Sequence, residues 1–309
     1  MLLRINMYEE RFNVDFPTRI SELEKAMNKL KLKWIIYQII FRGKGLEFDS
    51  YRDYNYSDDA SLIDWKASLR TNKLLVKKYI EERDLNIMFV IDSSDNMVFG
   101  SAKQLKCEYC AEIAASLSHL SLLSGDKIGF CFLNNYLKKI VYPASGKRQF
   151  NVFSFELTNI ENYGGKPPKL DDSLEYLLEL FGEKVDVVFI LSDFLNLGLN
   201  FHKNYSIFSF RYETIPIIIR DPLDENLPDI DSEFFLEDPI SGKQIIINPR
   251  VVKKQYVKKV KEEKDKLIKI FEECGTEYLE IKTTEPFIPL LIEFLIKRAK
   301  RRKENPKRK

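Results

Sequence analysis

Asn86-Ile87-Met88-Phe89-Val90-Ile91-Asp92-Ser93-Ser94-Asp95-Asn96-Met97-Val98-Phe99-Gly100 is the stretch that decides how this chain folds. Asn86–Ile91 is a largely apolar run of strand length. It runs directly into Asp-x-Ser-x-Asn, and a helical pattern follows. A buried strand that ends this way sets three oxygen side chains, from Asp92, Ser94 and Asn96, at the carboxyl end of a sheet. Open α/β sheets bind their ligands at that end. Asp and Ser oxygens at alternate positions suit a hard cation such as Mg²⁺.

Downstream, strand and helix patterns alternate, the mark of a doubly wound, mostly parallel sheet. A helix is predicted over Ser101–Leu123, with Ala102, Leu105, Ile113, Leu117 and Leu120 as its buried stripe. Lys127–Leu133 and Tyr136–Tyr142 flank Asn134-Asn135 and read as an antiparallel hairpin. Gln149–Leu157 and Leu170–Phe181 read as helices. Lys184–Leu191 reads as a buried central strand that ends in Ser192-Asp193. Tyr205–Phe210 and Glu213–Ile219 read as strands, and Pro216 suggests that the second is irregular or at an edge. The acidic, Pro-containing stretch Asp221–Asn248 reads as a loop with a short hairpin around Phe234–Leu236 and Gln244–Ile247. Helix Val251–Cys274, strand Tyr278–Lys282 and amphipathic helix Pro286–Arg302 complete the pattern. Upstream, residues 17–40 carry Ile20, Leu23, Met27 and Leu30 at helical spacing. Residues 43–80 mix turn-forming and polar clusters with the extended run Leu74–Ile80. The expected organisation is an N-terminal helix plus β-rich subdomain over 1–82, an α/β domain over 83–296 and a basic tail over 297–309.

The segment before the strand narrows the reading. Gly43-Lys44-Gly45-Leu46-Glu47-Phe48, Tyr51-Arg52-Asp53-Tyr54, Asp58-Asp59, Ile63-Asp64-Trp65-Lys66-Ala67-Ser68 and Arg70 occur in that order. This array, followed by the Asp loop, resembles the domain of unknown function 58 family, whose members place it before a von Willebrand A strand. The resemblance implies a von Willebrand A-like fold with a metal-ion-dependent adhesion site. There, Mg²⁺ is held by Asp-x-Ser-x-Ser, by a Thr from a second loop and by an Asp from a third, and a partner carboxylate completes the set. Asp92 and Ser94 match the first loop, Asn96 replaces its last Ser, and Asp193 matches the third. The second loop falls near Gly164–Leu170 and has no Thr, and Lys166 or Lys169 nearby would oppose a cation. Two readings stay open: weakly held Mg²⁺, or a degenerate site whose side chains bond neighbouring loops. The family is also associated with MoxR-type AAA+ ATPases. The resulting expectation is a non-enzymatic interaction module, an adaptor or co-chaperone of such an ATPase, that docks a partner carboxylate around Asp92, Ser94, Asn96 and Asp193.

Arg52, Asp53, Asp58, Asp59, Asp64, Trp65 and Arg70 form a second constellation. As structure it would be a network of charge-assisted hydrogen bonds around a buried Trp65 that covers a sheet edge. As function it would be a docking surface anchored by Trp65. The structural reading is preferred, so Trp65 is expected to be buried.

Composition excludes several classes. With 44% hydrophobic residues and 22 Phe in 309, the chain can build a sizeable core. No apolar run reaches the ~18 residues of a membrane span. The start lacks a signal-peptide pattern, so a cytoplasmic location is expected. Two histidines, His119 and His202, leave little material for a Ser-His-Asp triad. Cys107-x-x-Cys110 lies in a helical pattern with no second pair at zinc spacing and reads as buried thiols. Asp171-Asp172, as adjacent acids, are expected to be solvated. No phosphate-binding Gly-rich motif occurs. Lys297–Lys309 holds nine basic residues and one acid, Glu304. Such a tail offers an alternative: a scaffold held to an anionic membrane surface or nucleic acid.

Overall fold

A computed structural model describes residues 12–29, 46–55, 63–71, 73–81, 84–237 and 244–304. The N-terminal part comprises α1 (Phe16–Lys29), β1 (Leu46–Asp53), α2 (Trp65–Thr71) and β2 (Leu75–Glu81). Next come β3 (Asn86–Asp92), α3 (Lys106–Leu123), β4 (Lys127–Leu133), β5 (Leu137–Ala144), α4 (Lys147–Thr158), α5 (Leu170–Phe181) and β6 (Val187–Ser192). The remainder is α6 (Phe201–Arg211), β7 (Glu213–Arg220), α7 (Pro222–Glu225), β8 (Phe234–Glu237), β9 (Gln244–Ile247), α8 (Pro249–Glu273), β10 (Leu279–Lys282) and α9 (Phe287–Glu304).

Six strands form one sheet in the order β10-β7-β6-β3-β4-β5. Its neighbours are parallel except β5, which pairs antiparallel with β4 at an edge. The chain winds from β3 to β4 and β5, then returns to the other side of β3 as β6. This reversal puts the ends of β3 and β6 at a topological switch point. The fold is α/β and von Willebrand A-like, with the doubly wound, mostly parallel sheet expected.

The continuous apolar runs follow from burial on both faces. Ile87, Phe89 and Ile91 of β3 join Val187, Phe189 and Leu191 of β6 in the core beneath α1, α3, α4 and α9. Met88, Val90, Val188 and Ile190 point the other way, into the core under α5, α6 and α8. Phe89 stacks on Phe189 at 5.1 Å, and Phe153 of α4 stacks on Phe130 at 4.5 Å.

Several expectations are corrected. The helix expected from Ser101 begins at Lys106, and α3 is buried almost all round rather than along one stripe. Its small residues Ala111, Ala114, Ala115 and Ser118 let neighbours approach from every side, and α1 covers what would otherwise be its outer face. Buried carboxylates of α3 fix that cover: Glu112 accepts hydrogen bonds from Asp15 N and Arg19 Nε. Phe16, Leu23 and Met27 of α1 accordingly belong to the core of the α/β domain.

Tyr205–Phe210 is helical, not extended, as part of α6. Phe201, Tyr205 and Phe208 recur at helical spacing and are buried, which outweighs the strand-like composition of the segment. β7 lies inside the sheet despite Pro216. β10 pairs with β7 only from Ile217 onward, so Pro216 has a ladder partner on the β6 side alone.

β1 and β2 pair antiparallel, with a bulge between Phe48 and Ser50, and Ile63 bridges to Val76. The expected β8–β9 hairpin forms. Residues 30–40 of the expected first helix, Gly43–Gly45, Asp58, Asp59 and residues 305–309 lie outside the described residues. No described helix is long and apolar enough to cross a membrane.

Candidate functional site

The loop after β3 is anchored before it reaches its functional side chains. Ser93 donates to the Leu133 carbonyl through both its N–H (2.7 Å) and its Oγ (3.1 Å). This turns Asp92 inward, where it is buried. Its Oδ1 accepts from Ser94 N (3.1 Å) and Ser94 Oγ (2.7 Å), and its Oδ2 accepts from Ser192 Oγ (2.7 Å). Burial, then the neighbouring Asp193 charge, push its pKa up to about 6, against the pull of these donors.

The second loop lies where the sequence places it. Gly164 N donates to the Ser93 carbonyl (2.7 Å), Asp95 N donates to the Gly165 carbonyl (2.8 Å), and Gly165 N returns a bond to Asp95 Oδ1 (3.0 Å). Gly165 has φ +98°, and a Cβ there would stand 2.9 Å from Asn134 Nδ2. The loop therefore meets the Asp loop through backbone, without a side-chain hydroxyl.

The third loop follows β6. Asp193 Oδ1 accepts from Leu195 N (3.1 Å), and Phe194 N donates to Ser192 Oγ (3.1 Å). Phe194 has φ +52°, a strained conformation for an aromatic residue, and its buried ring packs edge-on against Phe271 at 5.6 Å. Asp92 and Asp193 thus lie at the carboxyl ends of adjacent strands, as expected.

Lys106 was missed by sequence reasoning. It opens α3, and its N–H donates to the Phe99 carbonyl. The side chain is only 1% exposed, and Nζ donates to Asp193 Oδ2 (2.8 Å) and Asp224 Oδ2 (2.9 Å). Burial opposes the ammonium, but the two carboxylates outweigh burial and hold its pKa above the usual lysine value. Asp224 is raised by burial, with Lys106 opposing. The lysine that meets the site is therefore this one; Lys166 and Lys169 are exposed. No sequence pattern singled it out, because Lys103, Gln104 and Glu108 make the sequence around the start of this helix polar. These residues do not fit Mg²⁺. Both Asp92 oxygens are engaged, one Asp193 oxygen carries an ammonium, and the second loop offers no hydroxyl. Asn96 is half-buried beside this network. Among the described residues no group of three or more His, Cys, Asp or Glu is placed to hold a metal.

The signature constellation looks different. Asp64 caps α2: its Oδ1 accepts from Lys66 N and Ala67 N (3.1 Å each), and its Oδ2 accepts from Tyr51 Oη (2.9 Å). Trp65 is 62% exposed, contrary to the buried position expected. It is the first residue of α2, and the buried Ser68 of the same helix accepts a hydrogen bond from Leu75 N of β2. Leu69, one helical turn after Trp65, is 82% exposed. Arg52 and Arg70 are exposed.

Other candidates resolve as structure. Cys107, Cys110 and Cys131 are buried free thiols whose pKa values burial raises. Asp171 is buried rather than solvated, and accepts from Asp172 N and Asn200 N. Arg298, at the base of the basic tail, is buried between Glu213 and Glu277.

A parallel sheet wound outward from β3, with an Asp-Ser loop at its switch point and an antiparallel edge strand, defines a von Willebrand A-like domain. The chain belongs to the family described as "Protein of unknown function DUF58", whose model matches residues 50–266. It is 23% identical over 263 residues to the uncharacterized protein Rv1480 of Mycobacterium tuberculosis, covering 84% of this chain and 81% of that one. The conserved hypothetical protein BatB of Bacteroides thetaiotaomicron is similar in structure, with 11% identity and a TM-score of 0.45 over 69% of this chain and 98% of its own. A von Willebrand factor type A protein of Catenulispora acidiphila gives 8% identity and a TM-score of 0.36 over 72% and 44%.

Proposed function

We infer that the chain is a cytoplasmic, non-enzymatic interaction module, an adaptor of a MoxR-type AAA+ ATPase, and that it docks through α2. One observation carries this reading: Trp65 and Leu69 stand exposed one turn apart on a helix that Ser68 ties to β2. An exposed Trp beside an aliphatic residue is the usual chemistry of a binding anchor. Exposed Lys66, Arg70 and Lys73 ring the pair, so the matching surface is an apolar pocket with an acidic rim. The ATPase partner comes from the family resemblance. The carboxyl end of the sheet is the poorer docking face, because Asp92, Ser94 and Asp193 are buried.

The test is calorimetric titration of the full chain with a purified MoxR-type AAA+ ATPase. The double variant Trp65→Ala/Leu69→Ala should bind at least about tenfold more weakly while its melting temperature is kept, since truncating an interface anchor costs ~2 kcal/mol or more. Equal affinity of the variant and the parent would refute docking through α2. No binding by the parent would refute the partner.

A further inference from the structure

We propose that the Lys106 ammonium is the resident cation of this sheet end, a covalently held replacement for the divalent metal of the fold, and that removing it opens a divalent-cation site at Asp193 and Asp224. The ammonium lies within hydrogen-bond distance of both carboxylates, one in the loop after β6 and the other in α7. It rises from the first residue of α3, a rigid element buried on nearly every side. The Phe99 ring lies 5.9 Å from Nζ, within cation–π reach.

Charge demands a cation here. Asp193 and Asp224 both reach the Lys106 ammonium, at 2.8 and 2.9 Å, and the buried Asp92 is tied to the β6 end through Ser192 Oγ. Carboxylates in such a place are held by a positive charge or neutralised by protons. A divalent ion in the fold normally supplies that charge, with hydroxyls from neighbouring loops completing its shell. Here the donors that would face a metal already bond one another. Ser94 and Ser192 both donate to Asp92, and the second loop contributes Gly164 and Gly165. A dication bound to Asp193 would stand within a few ångströms of the ammonium, with little water to screen the repulsion. Lysine and metal are therefore alternatives.

The experiment compares wild type with Lys106→Met by thermal unfolding of the full chain in 10 mM EDTA or 10 mM MgCl₂. Direct binding is read from the electron paramagnetic resonance signal of free Mn²⁺. Wild type should melt within about 1 °C in the two buffers and leave Mn²⁺ free at millimolar concentration. Lys106→Met should melt lower in EDTA and recover about 4 °C or more in MgCl₂, the shift expected at ten times the dissociation constant. It should also bind Mn²⁺ at least tenfold more tightly than wild type. If Lys106→Met does not fold in EDTA, Lys106→Gln, which removes the charge and keeps both carboxylates, is read the same way. The proposal is overturned if Mg²⁺ raises the wild-type melting temperature by several degrees. It is equally overturned if neither variant gains Mn²⁺ affinity, or if neither folds even with the cation added.

Discussion

Two regions at opposite ends of the family signature behave in opposite ways. The sheet end formed by the loops after β3 and β6, which carries the residues that look functional, is closed: Asp92 accepts from Ser94 and Ser192, Asp193 accepts from Leu195 and Lys106, and both carboxylates are buried. The α2 segment, whose charged residues look like a structural network, turns an aromatic and an aliphatic side chain to solvent. Residue type at a motif therefore does not reveal accessibility. A polar cluster at the switch point of a sheet can be consumed by its own loops. A Trp beside charges can stay open on a helix that a neighbouring carboxylate, Asp64, caps.

The comparison can be broken from the closed side first. Lys106→Met should cost the most, about 3–5 kcal/mol by denaturant unfolding at pH 7, because it leaves buried carboxylates without their partner. A cost under about 1 kcal/mol would mean that the network is not closed. Ser192→Ala removes a hydroxyl that donates to Asp92 and should lower stability by about 2 kcal/mol, the value of a hydrogen bond to a buried charge. Gly165→Ala should cost about 1–2 kcal/mol, since Ala is strained at this φ and its Cβ crowds Asn134. An unchanged midpoint would show that the second loop can move off the Asp loop. On the open side, Trp65→Ala should change stability by no more than about 0.5 kcal/mol, as exposed substitutions do. A loss of several kcal/mol would restore Trp65 as a packed residue.

Much of the fold was legible because burial on two faces writes itself as continuous apolar runs. Asn86–Ile91 and Lys184–Leu191 read as adjacent central strands, and Asn134-Asn135 between two runs read as a hairpin. The grouping of Asp92, Asp193 and the Gly164–Gly165 loop followed from the family resemblance. Tyr205–Phe210 misled because an aromatic-rich run satisfies both periods over six residues, and only Phe201 upstream fixes the helical one. Lys106 was illegible for a different reason. Its partners Asp193 and Asp224 lie 87 and 118 residues away, so only the folded topology brings the charges together. The exposure of Trp65 depends on how α2 sits on β2, and the hydrogen bond that Ser68 Oγ accepts from Leu75 N between them is not encoded in the spacing of apolar residues.

The most direct measurement sets one variant from each region side by side: the affinity of Trp65→Ala and of Ser192→Ala for the purified AAA+ ATPase, each with its melting temperature. Trp65→Ala should lose at least about tenfold in affinity at an unchanged melting temperature, and Ser192→Ala should melt lower yet bind as wild type while folded. Binding lost in Ser192→Ala and kept in Trp65→Ala would contradict the account and return the interaction to the carboxyl end of the sheet.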